Sequence, residues 1–259
     1  MDLNLTEEQR LIVDSAAEFL AAHSTSAQVR QVTEQPGGWD ATLWQGLAEL
    51  GWCGIHTAEE QGGLGLGVVE LALLQEQLGR RLACVPYFDS VALAASALRG
   101  LAGHPSADAA LQELASGAQC FALALPQPTS TAVPVRAQPQ ADGSWQLHGL
   151  WPQVGSATLA QQLLLLAHQP NGVWGLWLVP ANAPGAVGIW DSNVNLTAVF
   201  KAGDPDPIFR AVQVLEHLID GVQRDSVVAA SGGRQVERQQ DVLLGGQRGQ
   251  QVEALEDEA

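Results

Sequence analysis

Apolar residues recur every three to four positions through the first 118 residues, the period of a helix with one buried stripe. Thr6 stands three residues before Gln9, the spacing at which a helix start caps itself reciprocally. Leu11, Ile12, Ala16, Phe19 and Leu20 follow as one predicted apolar face. Asp40 is placed to cap a second helix carrying Leu43, Trp44, Leu47 and Leu50, with Gly51 at its end. A glycine-rich loop, Gly62-Gly63-Leu64-Gly65-Leu66-Gly67, leads to a third helix with Leu71, Leu74 and Leu78. Asp89 and Ser106 are expected caps of two more, the last ending near Gly117.

From residue 120 the pattern changes to short apolar runs broken by Pro, Gly, Asn and Asp. Strands are predicted at 120–125, 132–138, 145–151, 162–168, 173–179 and 195–200. Ala141-Asp142-Gly143 and Gln169-Pro170-Asn171-Gly172 read as hairpin breaks. After Asp204-Pro205-Asp206-Pro207 a helix is expected to return, with Ile208, Val212, Leu215 and Leu218 on one face. From Ser231 onward apolar content is too low to offset the entropy of ordering, which predicts a disordered or weakly helical tail. The expected fold class is therefore α+β. An all-α domain (1–118) precedes a small antiparallel β-barrel or sandwich (119–203), then a short helix (204–232) and an acidic, Gln-rich tail (233–259).

Charge narrows the partners. The chain carries 12 Lys and Arg against 28 Asp and Glu, a formal net charge of −16, and Lys201 is its sole lysine. Nucleic acid is excluded as an expected partner, because phosphate backbones demand clustered cations. The three cysteines, Cys53, Cys84 and Cys120, form no metal or redox motif and suit buried thiols in a reducing cytoplasm. The start of the chain lacks the basic and apolar regions of a signal peptide. No apolar run approaches the ~20 residues of a membrane span.

Isolated chemistry-bearing residues point to little. His56, His104, His148, His168 and His217 are scattered, without the spacing of a metal pair. Ser130 and Ser156 lack the Gly-x-Ser-x-Gly elbow of a hydrolase. The glycine-rich loop follows no strand and precedes no Lys, so a tight turn between packed helices explains it better than phosphate binding. Trp145, Trp151, Trp174, Trp177 and Trp190 read chiefly as core, with Trp151 also open to a stacking role.

Four segments carry a resemblance. Leu5-Thr6-Glu7-Glu8-Gln9-Arg10, Leu47-Ala48-Glu49-Leu50-Gly51-Trp52-Cys53-Gly54-Ile55, Ala58-Glu59-Glu60-Gln61-Gly62-Gly63-Leu64-Gly65 and Glu76-Gln77-Leu78-Gly79-Arg80 stand in this order. The chain resembles the acyl-CoA dehydrogenases over residues 1–200. The resemblance implies FAD as cofactor and an acyl-CoA as substrate, with α,β-desaturation of the thioester as the family reaction. It also implies a homo- or hetero-oligomer with another acyl-CoA dehydrogenase subunit, located in the cytoplasm.

The resemblance also locates the positions that would face flavin. These are Leu125 and Pro126 at the end of the first strand, and Gln153, Val154 and Gly155 after the third. Gln153 stands where the family has a tryptophan over the ring, and Gly155 where it has a hydroxyl-bearing threonine. Pro126 has neither a hydroxyl nor a backbone N–H. Trp151 falls at the family's lysine position and Gln161 at its aspartate position. The family's catalytic base is a glutamate of a C-terminal helical domain, and nothing after Gly232 resembles that domain. Glu237, Glu253 and Glu256 match it in residue type alone, so no catalytic residue and no metal ligand is assigned.

Three readings follow. The chain is a degenerate dehydrogenase that does not turn over alone, through truncation or an altered frame. Or it is a non-catalytic subunit that pairs with a complete enzyme. Or it is an active FAD enzyme with an unfamiliar site.

Overall fold

A computed structural model describes residues 4–125, 135–141, 143–151, 153–183, 186–190, 193–200 and 209–210. Its first part is helical: α1 (Glu7–His23), α2 (Ser26–Thr33), α3 (Ala41–Glu49), α4 (Val68–Arg80), α5 (Ala95–Arg99) and α6 (Pro105–Ala115). Short 3-10 turns cover Trp52–Gly54 and Glu59–Gln61, and a π-helical segment, Phe88–Ala94, runs into α5.

The helix starts follow from side-chain caps. Thr6 Oγ1 accepts from Gln9 N (3.1 Å), and Thr6 N donates back to Gln9 Oε1 (3.0 Å). Thr25 and Gln28 form the same box at α2, an element that the apolar pattern alone did not reveal. Asp40 Oδ1 accepts from Leu43 N (2.9 Å), and Gly51 ends the α3 region in the left-handed conformation (φ 74°). Two expected caps are corrected. At α6 the cap is His104, whose Nδ1 accepts from Ser106 N (3.3 Å); Pro105 takes the first helical position and leaves the cap to its predecessor. Asp89 lies inside the π-helical segment and turns its carboxylate away from the helix start.

The helices bury one core. Leu20, Leu43, Trp44, Leu47, Leu71, Leu74 and Leu78 are all enclosed. Leu11 and Leu50, expected on those faces, are instead 65% and 44% exposed. Leu50 is the residue at which α3 ends, and Leu11 lies on the flank opposite Ala16 and Leu20.

The second part is a sheet of β1 (Phe121–Ala124), β2 (Arg136–Pro139), β3 (Trp145–Trp151), β4 (Gln162–His168), β5 (Trp174–Pro180), β6 (Ala186–Trp190), β7 (Asn193–Phe200) and β8 (Phe209–Arg210). The strand order is β6-β7-β3-β2-β4-β5-β8, with β1 also on β4. The sheet is mixed rather than wholly antiparallel: β1 and β2 each run parallel to β4. They meet β4 at its two ends, so one strand serves both in succession. Strand β6 falls in a stretch with Pro and Gly at its border and was not anticipated. Phe209–Arg210, inside the region expected as helix, pair with β5 as a strand; the rest of 201–259, including the expected tail, lies outside the described residues.

Strand β4 is buried on both faces, with alternate residues entering different cores. Leu164 and Leu166 join the helical core, while Leu163, Leu165 and Ala167 face a second core with Ala137, Leu147, Trp151 and Val179. Ser90 ties the two parts at the backbone: its hydroxyl donates to Phe121 O (2.8 Å) and accepts from Phe121 N (3.0 Å). Trp44 Nε1 adds a bond to Gly117 O (2.9 Å).

Candidate functional site

Strand β3 ends at Trp151, and residues 153–161 return the chain to β4. Trp151 is fully buried and its Nε1 donates to Leu166 O (2.9 Å). That hydrogen bond satisfies the one polar atom of the indole, so Trp151 is a core residue and offers no stacking face.

Beyond it the loop turns sharply. Gln153 is exposed with φ 57°, and Ser156 has φ 52°, both in the left-handed region that side chains rarely adopt. Val154, between them, is 2% exposed and anchors the loop in the second core. Gly155 sits against Asp89 of the π-helical segment. A Cβ at residue 155 would lie 2.1 Å from Asp89 Oδ1. The Ser156 hydroxyl donates to Asp89 Oδ2 (2.5 Å). The carboxylate therefore fills the space beside Gly155 and consumes the neighbouring hydroxyl. At the loop's far end, Gln161 Oε1 accepts from Cys120 N (2.7 Å), and Cys120 O accepts from Gln161 N (2.9 Å).

The positions that the resemblance assigns to flavin divide accordingly. Leu125 is 42% exposed at the end of β1. Pro126 lies outside the described residues. Gln153 faces solvent with an amide, Val154 faces inward, and Gly155 faces a carboxylate. An isoalloxazine needs a hydroxyl or N–H toward its ring nitrogens and a flat apolar face over the ring. Among the described residues of this loop no side chain supplies the flat apolar face and the Ser156 hydroxyl is already held by Asp89, so the loop does not fit the cofactor. An anionic carboxylate packed at the glycine compounds the mismatch.

The remaining sequence candidates are placed as follows. His56 is 2% exposed with Nε2 3.2 Å from Ser96 Oγ, and burial pushes its pKa down to about 3, with a smaller contribution from Arg99. Burial pushes the Cys120 thiol up to about 12, and raises Cys53 further still with help from Cys120, so both remain unreactive thiols. The Ser156 hydroxyl donates its hydrogen bond to Asp89 and not to a histidine. Ser130, His217, Glu237, Glu253 and Glu256 lie outside the described residues. His148 and His168, far apart in sequence, both come beside Arg136, which sequence reading missed because only strand register reveals it. Among the described residues no three His, Cys, Asp or Glu side chains gather as metal ligands, and no helix is long and apolar enough to cross a membrane.

A helical domain is bound through Ser90 to a mixed sheet, one strand of which is buried on both faces. The profile of the acyl-CoA dehydrogenase N-terminal domain matches residues 6–118. Over its N-terminal and middle regions the chain is a member of the acyl-CoA dehydrogenase family. It is 30% identical over 185 residues to acyl-CoA dehydrogenase FadE27 of Mycobacterium tuberculosis, covering 71% of this chain and 49% of that one. It is 35% identical over 120 residues to acyl-CoA dehydrogenase IpdE2 of the same organism, covering 46% and 37%. Among solved structures, the ChsE4-ChsE5 complex from Mycobacterium tuberculosis superposes with a TM-score of 0.75 at 25% identity, over 84% of this chain and 61% of that one. Butyryl-CoA dehydrogenase from Megasphaera elsdenii shares the fold, with a TM-score of 0.67 at 20% identity over 86% and 65%. The chain spans about half the length of FadE27 and less of IpdE2.

Proposed function

We propose that this chain is an acyl-CoA dehydrogenase-like subunit that does not turn over alone and acts beside a complete, flavin-bearing dehydrogenase subunit. The family reaction, FAD-dependent α,β-desaturation of an acyl-CoA, belongs on this reading to the assembly and not to this polypeptide. The observation that carries it is the Asp89 carboxylate in the space beside Gly155, with the Ser156 hydroxyl already committed to it. A loop closed in this way holds FAD weakly or not at all. Its structural likeness to a two-component complex supports a heteromeric setting. Three free thiols, two of them buried, suit a reducing cytoplasm.

The test is direct. The purified chain is expected to be colourless, to leave the fluorescence of added FAD unquenched, and to co-elute with a complete dehydrogenase subunit when the two are expressed together. Reduction of an artificial electron acceptor by an acyl-CoA, dependent on this chain alone, would overturn the proposal and favour the active-enzyme reading.

A further inference from the structure

Residues 119–200 are nearly free of charge. They contain three basic residues, Arg136, His148 and His168, and two acidic ones, Asp142 and Asp191. Strand register puts all three basic residues side by side. Arg136 of β2 is the partner of His148 on β3 and of His168 on β4. Partners directly across neighbouring strands project to the same face. All three are exposed. In a chain with a net charge of −16, the whole basic content of this segment thus forms one row three strands wide. Adjacent strands are about 4.8 Å apart, so the row spans roughly 10 Å with Arg136 on its central strand.

The row borders a groove of about 310 Å³ lined by Arg136, Gln138, His168, Gln169, Pro170 and Gly172. Its walls are held. The β4–β5 hairpin is closed by Gln169 N to Val173 O (2.9 Å) and Gly172 N to Gln169 O (3.0 Å), with Gly172 at φ 79°. The His168 ring rests on Trp174, its cross-strand partner on β5, with centroids 3.5 Å apart. A guanidinium carries five N–H donors and no acceptor, and an imidazole donates through at least one ring nitrogen in either charge state. Such a set selects a ligand with several clustered anionic oxygens.

We infer that the Arg136–His168 groove, with His148 at its edge, binds the phosphate or diphosphate group of a phosphate ester. The volume suits a diphosphate or a small ester and is too small for a whole dinucleotide. Guanidinium and phosphate match in planar, two-point geometry, which a lysine at the same position would not reproduce. The site lies on β2, β3 and β4, apart from loop 153–156, and stands whether or not flavin binds.

The experiment titrates the full chain with inorganic pyrophosphate at fixed ionic strength, read by phosphorus NMR and calorimetry. Saturable, one-to-one binding is expected. Arg136→Gln weakens it about tenfold, the order expected for a lost charge-assisted pair. Arg136→Lys restores part of it, and His168→Gln gives a smaller loss. Because these side chains are exposed, the thermal melt of each variant should match the parent; if Arg136→Gln melts early, Arg136→Lys and His168→Gln decide. ADP in place of pyrophosphate distinguishes the source of the anion. Tighter ADP binding shows that the ester's ring is also held in the groove, and equal binding shows that the anion suffices; both uphold the site. Pyrophosphate affinity that is unchanged in Arg136→Gln and His168→Gln, or no saturable binding at all, overturns it.

Discussion

Ser156 donates its hydroxyl proton to the carboxylate of Asp89, a residue 67 positions earlier in the chain. The bond fixes the π-helical segment of the helical domain to the loop between β3 and β4. Gly155, next to it, is the residue whose missing side chain leaves room for that carboxylate.

A first prediction follows for Gly155→Thr, the change that would restore a hydroxyl at this position. The φ of Gly155 is not in the left-handed region, so the carboxylate is the obstacle and not the backbone. Overpacking of this kind costs roughly 1–3 kcal/mol. Asp89→Ala costs about 1 kcal/mol through the lost Ser156 bond. Combined, the two should cost less than their sum, with a coupling of roughly 0.5–3 kcal/mol measured by urea unfolding. A plain additive result would show that Asp89 does not occupy the threonine's space.

The glycine-rich loop gives a sharper contrast between neighbours. A Cβ on Gly63 would lie 2.1 Å from Thr57 O and 2.6 Å from Gly54 O, both backbone atoms that cannot step aside. Gly62 has φ +79° but nothing within 4 Å of its Cβ position. Gly62→Ala should therefore cost about 1 kcal/mol of left-handed strain. Gly63→Ala should cost roughly 3 kcal/mol or more, or fail to fold. Equal, small effects in thermal and urea melts would contradict the reading of this loop as a packed crossing of backbones.

The helical half was legible because its signals are local. Thr6 with Gln9, Asp40 before Leu43 and the Gly51 stop all act within four residues, and each is where periodicity put it. Strands β3 and β4 match their apolar runs from end to end. The failures share a different cause. Ser106 misled because Pro105 moves the cap back to His104, a signal that was present and unused. Asp89 looked like a cap because its true partner, Ser156, is brought near only by packing. The Arg136 row could not be read from the chain at all, because register depends on which strands pair, and β2 pairs in parallel with a strand that follows it.

Trp151 could face a ring or a core, and the structure chooses the core. Its indole N–H donates to Leu166 O in a fully buried setting. Trp151→Phe should cost about 2 kcal/mol, as it leaves that oxygen without its side-chain donor and removes part of the indole. Trp151→Ala should cost roughly 3–5 kcal/mol. Both variants should also lose a blue-shifted component of the tryptophan fluorescence, that of the buried Trp151 indole. A red-shifted, quenchable Trp151 would place the ring at the surface instead.

The final prediction concerns acid stability. His56 is 2% exposed, and its Nδ1 has no hydrogen-bond partner. Burial lowers its pKa from 6.5 to about 3, so the folded protein holds it neutral while the unfolded chain binds a proton below about 6.5. Because the folded value is the depressed one, the unfolded state binds more protons between the two values. Stability is therefore full above 6.5 and declines as pH falls toward 3, by at most about 1.4 kcal/mol per pH unit. Glu70, the depressed carboxylate that bonds Gln9 and Gly67, starts from 4.5 and contributes its loss only below that value. Between pH 7 and pH 5 the histidine thus acts without it. Urea unfolding should show the parent losing roughly 2 kcal/mol more than His56→Gln over that interval. Parallel pH profiles for the two proteins would mean that His56 takes up its proton in the fold as readily as in the unfolded chain, which needs an acceptor at both ring nitrogens where Nδ1 has no partner.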